Sequence, residues 1–460
     1  VKNKILFISL GVVLILSIGL VGCNPSTGPT PSDTIVLGAS VSDTGVLADI
    51  HHLAKKPIVD EWIATNPTMT VGGTAYPVEE DFIDDASLLS NCLDNTDIII
   101  DKIHAGTDHI LLGPTCTAYL EAQAPKATTG KVVQITMEGG ATSLIPNLSM
   151  YKYSFINLSF SNWFEIPVLA KMLATAPNWT AADHAYIGYQ NDDHGLEYSG
   201  QASKYFAKEG ITIDGLLPMT SGSTSADADL VSAAKAANSS ILCAFAYPEF
   251  VFGLAAVCQA QNYTPKAMIL GPGGNFGVYG FDSIIAGNES DGIMCFAVAN
   301  TKTPGAAGAL MSQLETDLGI PNTDYWGHPL YWAALQMLQT SIEAVGDSTT
   351  SGFTLDQDAL CTYLKTHKFT TDLGETWYVT PAYALNDTQY YWPDVDLQWP
   401  VAAGYGCLLN YKCHTGEIGQ WQDGYIEIIG YPGIGEGGDE YSLTNYCVTA
   451  NFTYPKPAWK

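Results

Sequence analysis

Short apolar runs closed by turn residues alternate along this chain with stretches of helical period. Ile35-Val36-Leu37-Gly38-Ala39 is followed by a Gly/Ser/Asp/Thr turn, which predicts a buried strand. A helical stretch follows over 47–65, a strand over 76–83 and a helix starting at Asp84-Asp85. A strand over 110–114, a helix over 119–128 and a strand over 132–135 continue the pattern. The rhythm then repeats, with strands at 184–188, 211–217, 241–246 and 268–270 and helices at 197–209, 226–237 and 250–261. Further helices are predicted at 306–318, 331–345 and 355–365. Strand, loop and helix in this order predict βαβ units, hence parallel sheets with helices on both faces. Segment 375–417 breaks the rhythm; rich in Tyr, Trp, Asn and Pro, it reads as a long loop or hairpin insertion. Strand character returns over 418–429 around the hairpin signal Gln422-Asp423-Gly424.

The chain of 460 residues is too long for one ordinary domain, so two lobes are expected. Ligands of open α/β sheets bind beyond the carboxyl ends of the strands. The loops of interest are therefore Ser40 to Gly45, Thr115 to Thr117, Met137 to Thr142, Gln190 to Gly195, Tyr247 to Glu249 and Gly271 to Asn275.

The N-terminal pattern is different in kind. Lys2 and Lys4 precede an apolar run from Ile5 to Leu20, which ends in Leu20-Val21-Gly22-Cys23. This resembles a prokaryotic lipoprotein signal, with cleavage before Cys23 and lipid on its sulfur. An uncleaved membrane anchor is the other reading of the same run. Residues 24–33, rich in Pro, Ser and Thr, read as a stalk. A formal charge of −28 disfavours nucleic acid and anionic headgroups as partners.

Ten cysteines fit an exported chain. Cys407 with Cys413, and Cys92 with Cys116, are the disulfide candidates. Eight Asn-x-Ser/Thr sequons, at Asn147, Asn157, Asn178, Asn238, Asn262, Asn288, Asn386 and Asn451, are either glycan acceptors or accidents of a Ser/Thr-rich surface.

Several chemistries lack their motifs. There is no phosphate-binding loop with Gly-Lys-Ser/Thr, no His-Glu-x-x-His, no paired Cys-x-x-Cys and no Gly-x-Ser-x-Gly elbow. His51-His52, His104 and His109 lack ligand spacing and read as solvated surface histidines, so no metal and no cofactor is expected. Asp84-Asp85 and Asp192-Asp193 read as helix N-caps rather than acid/base pairs.

The motifs in their order resemble the type I solute-binding proteins of ABC transporters, in the branched-chain amino acid and amide-binding branch. Residues 37–45 look like that family's opening strand and Thr-Gly loop, including Thr44. Gly72 to Val78 followed by Asp84-Asp85-Ala86-Ser87 looks like its second strand and helix start. Leu112-Gly113-Pro114-Thr115-Cys116-Thr117 resembles its Gly-Pro-x-Ser-Ser loop, and Gln190 to Gly195 its Asp-Asp-x-Tyr-Gly turn. Asp423-Gly424 and the ending Tyr454-Pro455-Lys456-Pro457-Ala458-Trp459 also match.

The resemblance implies a type I periplasmic binding protein fold: two Rossmann-like lobes with parallel sheets, joined by a three-strand hinge. It implies lobe 1 at 34–156 plus 297–372 and lobe 2 at 157–296 plus 373–460, the latter with an insertion at 376–416. Crossings between lobes are expected near 155–159, 294–298 and 369–377. By the same resemblance, Thr44, Thr117, Gly139, Gly140, Ala141 and Thr142 line the ligand from the first lobe. His194, Tyr247 and Gly273 line it from the second. Ala141 stands where the family has Thr, and Gly273 where amino acid binders place a Glu that pairs the ammonium. A small polar cargo follows: an amino acid, an amide or a carboxylate.

The implied protein is a non-enzymatic, monomeric lipoprotein. It is anchored on the extracellular face of the membrane or in the periplasm and delivers cargo to an ABC permease. A sensor domain of the same fold is the alternative. A secreted hydrolase, with Tyr390-Tyr391-Trp392 lining a sugar cleft, is the more distant one.

Overall fold

A computed structural model describes residues 30–136, 150–157, 161–220, 225–246, 253–272, 290–297, 299–303, 305–319, 328–381, 397–398, 407–411, 417–423, 425–434, 441–448 and 451–459. Strand β1 (Ile35–Val41) opens the first lobe. A helical segment follows, with a π turn at His51–Lys55 leading into α1 (Lys56–Thr65). Strands β2 (Thr68–Val71) and β3 (Thr74–Asp84) form a hairpin through Gly72 and Gly73, both at positive φ. Next come α2 (Leu89–Ala105), β4 (Ile110–Leu112), α3 (Thr117–Gly130), β5 (Gln134–Thr136) and β6 (Ser154–Ile156).

The second lobe is built by α4 (Ser161–Ala174), β7 (Ala185–Gln190), α5 (Asp193–Lys208), β8 (Ile213–Met219) and α6 (Ala226–Ala237). Strand β9 (Ile241–Ala246), α7 (Leu254–Ala260), β10 (Ala267–Pro272) and β11 (Ile293–Ala297) complete its parallel part.

The chain then runs through α8 (Ala306–Leu318), α9 (His328–Val345), the small hairpin β12 (Asp347–Thr349) and β13 (Gly352–Thr354), and α10 (Gln357–Thr366). Strands β14 (Phe369–Thr371), β15 (Gly374–Pro381), β16 (Leu397–Gln398) and β17 (Cys407–Tyr411) precede β18 (Glu417–Gln422), β19 (Tyr425–Ile434) and β20 (Tyr441–Val448).

Two sheets result. The first has the order β14-β15-β17-β6-β5-β4-β1-β3-β2, with β16 on β15; the second has the order β20-β19-β18-β11-β10-β9-β7-β8. In each, the central strands pair in parallel and the late strands add antiparallel edges. Both faces are covered, which explains the near-continuous apolar strands. In β4, Ile110 and Leu112 pack in the cluster that holds Ile58 and Trp62 of α1, whereas Leu111 packs with Ile99 of α2 and Ala127 of α3. In β9, Leu242 and Ala244 meet Leu230 of α6 and Leu254 of α7, whereas Cys243 and Phe245 meet Tyr198 and Phe206 of α5. The alternation is the period of two in which successive side chains face opposite sides.

The α/β class and doubly wound lobes match the sequence reading. The boundaries need one correction. The resemblance places residues from 373 onward in the second lobe, but β15 and β17 pair into the first sheet, β17 lying parallel to β6. The chain passes between sheets after β6, after β11 and between β17 and β18, so the third crossing is not at 369–377. The reason is edge pairing: β15 binds β14 through a tight turn at Gly374 (φ 101°), and β17 then completes the ladder.

Candidate functional site

The carboxyl ends of β1, β3 and β4 are tied by one polar network. Asp85, buried just beyond β3, accepts from Ser42 Oγ (2.7 Å), Ser40 Oγ (3.2 Å) and Ser87 N–H (2.9 Å). Ser42 N–H donates to Thr115 Oγ1 (3.1 Å), linking the β1 and β4 loops. The fully buried Lys55 at the end of the π turn donates to the Gly113 carbonyl. Burial raises the Asp85 carboxyl above its ordinary range, although Ser42, Ser87, Ser40 and Lys55 all pull it down.

Asp84 holds the exposed part of the same loops. It accepts from Thr44 Oγ1 (2.7 Å), Thr44 N–H (3.1 Å), Asp43 N–H (3.0 Å) and Ala86 N–H (2.8 Å). Burial is the largest single influence and raises its carboxyl, but the bonds from Thr44, Ala86 and Asp43 together outweigh it and hold the group below the usual range. Asp84 and Asp85 are therefore not helix caps: α2 begins at Leu89 with Leu88 as an N-cap that makes no side-chain bond. Both carboxylates instead bond the backbone two residues on, which fixes Ala86 (φ 52°) and Ser87 (φ 57°) in left-handed conformation. Gly45 (φ 92°) lies against this turn, where a Cβ would come within 2.5 Å of Ser87 Oγ.

Thr117 is the first residue of α3 and is buried. The N-cap, Cys116, is extended and gives no side-chain cap bond. The first-turn N–H groups and the helix dipole thus present partial positive charge beside the Thr117 hydroxyl, a setting suited to a carboxylate or amide oxygen.

On the second lobe, Asp192 caps α5 by accepting from Gly195 N–H (3.0 Å), and Gln190 Nε2 braces it at 2.7 Å. Gly195 is required there, because a Cβ would lie 2.0 Å from the Gln190 carbonyl. His194, in the first turn of α5, is buried with its ring 4.6 Å from that of Tyr198. Tyr198 stacks on Phe296 and donates to Glu165 (3.2 Å). Burial pushes His194 down to about 3, so it presents a neutral ring. Helices α3 and α5 pack against each other across the lobes.

The structure thus brings Thr44 and Thr117 to one edge of the first sheet, and His194 to the facing helix of the second. Gly139, Gly140, Ala141, Thr142, Tyr247 and Gly273 lie outside the described residues, as do Cys23, Cys413 and the Cys407 side chain.

Three readings are corrected. The Cys92–Cys116 disulfide is not formed; both are thiols in one buried cluster with Tyr119. Burial pushes the Cys92 thiol up to about 11 and Gln123 Nε2 sits 3.9 Å from its sulfur, so Cys92 behaves as a small core residue. His51 and His109 are buried, not solvated; His109 Nδ1 accepts from Val36 N–H (3.0 Å), and burial lowers its pKa to about 4. Asn157, read as a sequon, is fully buried, donating to the Thr136 carbonyl (3.1 Å) and accepting from Tyr378.

Sequence reasoning missed Lys55 and the structural role of Asp85, and it placed Ser42 and Thr115 in loops of interest without giving either a role of its own. Their only signal was polar residues where an apolar helix or strand end is expected.

No protein-family model matches this chain, and no curated protein matches it. Solved structures do. A leucine-binding protein from Thermotoga maritima is 15% identical, with 86% of this chain and 97% of that chain covered and a TM-score of 0.64. A solute-binding protein of an ABC transporter from Rhodopseudomonas palustris BisB5, in complex with 3,4-dihydroxybenzoic acid, is 14% identical, with 86% and 96% covered and a TM-score of 0.62. A branched-chain amino acid transporter substrate-binding protein from Streptococcus pneumoniae, in complex with isoleucine, is 14% identical, with 86% and 98% covered and a TM-score of 0.61. The chain has the type I periplasmic solute-binding protein fold. Within that fold, the loops tied by Asp84, Asp85 and Lys55 lie at the strand carboxyl ends, where open α/β sheets bind ligands. Among the described residues no helix is long and apolar enough to cross a membrane.

Proposed function

We propose that this chain is a solute-binding protein that captures a small polar molecule between its lobes and delivers it to an ABC permease. One observation carries the reading. Helix α3 begins uncapped at the carboxyl end of β4 with Thr117 in its first position, and it packs against the helix that bears His194. A carboxylate or amide oxygen accepts from the Thr117 hydroxyl and first-turn N–H groups. The neutral His194 supplies a hydrogen-bonding ring without adding charge.

The cargo class is a small carboxylate or amide, with amino acids included. Gly273 offers no carboxylate to an ammonium, and a buried unpaired ammonium is costly. That favours an acid or amide over a branched-chain amino acid. It accords with solved structures of this fold that hold 3,4-dihydroxybenzoic acid and 4-hydroxybenzoate, although another holds isoleucine. We further propose a monomer, tethered by lipid at Cys23 on the outer face of the membrane, that catalyses no reaction. Gly139 to Thr142 complete the first-lobe side of the pocket, and Tyr247 and Gly273 the second.

A thermal-shift screen of amino acids, amides, aromatic acids and short peptides tests this. A ligand bound only by the folded state at 100 times its Kd adds roughly 2.7 kcal/mol of stability. Thr117→Ala is expected to weaken the hit about tenfold or more, the loss of a hydrogen bond to a charged group. No shift with any compound, on folded protein freed of bound ligand by partial unfolding and dialysis, counts against the reading.

A further inference from the structure

We propose that Asp43, His51 and His52 form a binding site for a divalent cation of the zinc class, on the β1 loop of the first lobe. His52 Nε2 lies 3.5 Å and His51 Nε2 3.9 Å from Asp43 Oδ1. One donor atom from each of the three residues falls within 4.8 Å of the others. A tetrahedral zinc with bonds of roughly 2.0–2.1 Å holds its ligands about 3.4 Å apart. The cluster is therefore slightly open, and small side-chain rotations close it around an ion.

The two histidines open the π turn, a helical irregularity frequent at functional sites. Asp43 comes from the loop before them, so its carboxylate approaches from outside the helical segment. His52 Nε2 also donates to the Asp43 carbonyl oxygen (2.9 Å), a bond that gives way when the other tautomer presents that nitrogen to an ion.

The second observation is the state of His51. Its side chain is 1% exposed, its ring packed 5.4 Å from that of His52 and 5.7 Å from that of Phe82. Its Nδ1 is buried with no hydrogen-bond partner among the described residues, while Nε2 faces Asp43. Nε2 is thus the nitrogen offered to an ion, and packing on His52 and Phe82 holds the ring with that edge toward Asp43.

The local charges are balanced. Lys55 and Lys56 oppose a cation, but Lys56 is paired with Asp60 and Glu80. Asp84, whose Oδ1 accepts from Asp43 N–H at 3.0 Å, places a further negative charge beside the site. Two imidazoles and one carboxylate select zinc, nickel or cobalt over magnesium or calcium. His52 and Asp43 are each about half exposed, so water fills the remaining coordination position.

The test is titration of the chelator-stripped full chain with zinc chloride in excess magnesium, followed by calorimetry, with cobalt absorption reporting coordination. His51 is buried and its removal threatens folding, so the variants are His52→Ala and Asp43→Ala, each checked for an unchanged melting temperature in chelator. The proposal expects one equivalent of zinc in the wild type and at least tenfold weaker binding in each variant. Absence of saturable binding overturns it, and so does one-equivalent binding that both variants retain.

Discussion

Asp227 lies in the first turn of α6, where the helix dipole favours its charge, yet burial dominates and raises its carboxyl from 3.8 to about 7. Its Oδ1 is buried without a hydrogen-bond partner among the described residues. A raised carboxyl holds its proton more tightly in the folded than in the unfolded chain. Stability from this group is therefore fully present below about pH 4 and lost as pH rises toward 7. Asp227→Asn is expected to stabilise the protein by about 1–3 kcal/mol at pH 8 and by almost nothing at pH 4. Denaturant melts at the two pH values decide it; an equal gain at both removes the electrostatic cause.

Single residues were the least legible part of the sequence. Asp192 could be read as a cap, because capping is a local matter of a carboxylate and an N–H three residues on. Asp84 and Asp85 look the same in sequence, but their partners lie some forty residues away at Ser40, Ser42 and Thr44. His51 and His109 lost their solvent through packing from distant segments. Asn238 and Asn262 sit at φ 57° and 51°, positions that favour asparagine whatever follows it. That supports accident over glycan acceptance at those two sequons.

At the scale of elements, the π turn and the loops after β1, β3 and β4 act as one piece. Asp85 is the joint, since three donors from two loops end on it. Asp85→Ala is expected to cost roughly 2–4 kcal/mol, by leaving buried hydroxyls and an N–H unpaired. It should also weaken ligand binding. Chemical denaturation measures the first and titration the second; a variant with wild-type stability would show the joint to be dispensable. Helices and central strands were legible because burial imprints the periods of 3.6 and 2 on residues such as Ile99, Ile100 and Ile103, or Ile110 and Leu112. The helices 226–237 and 306–318 fall where periodicity put them. Strands β15 and β17 did not: β15, between β14 and β17, buries Thr376, Trp377 and Tyr378 in succession, so it shows neither alternation nor a continuous apolar run. Their partners, not their pattern, determine which lobe they join.

For the whole molecule, two doubly wound sheets joined by three crossings make lobes that can rotate as bodies. The first two crossings were legible as ends of apolar strands at Ser154–Ile156 and Ile293–Ala297. The third depended on where the late strands paired. The net charge of −28 keeps such a molecule soluble and away from polyanions, but it specifies neither lobe nor ligand. Under the proposed function, a ligand held at Thr117 and touched from the α5 side would favour a closed arrangement by its extra contacts there, and so shift the population toward it. Small-angle X-ray scattering, with and without a saturating ligand from the thermal screen, tests this most directly. The radius of gyration is expected to fall on binding in the wild type, and to stay unchanged in Thr117→Ala at the same concentration. A wild-type radius unaltered by a ligand shown to be bound would contradict capture between closing lobes.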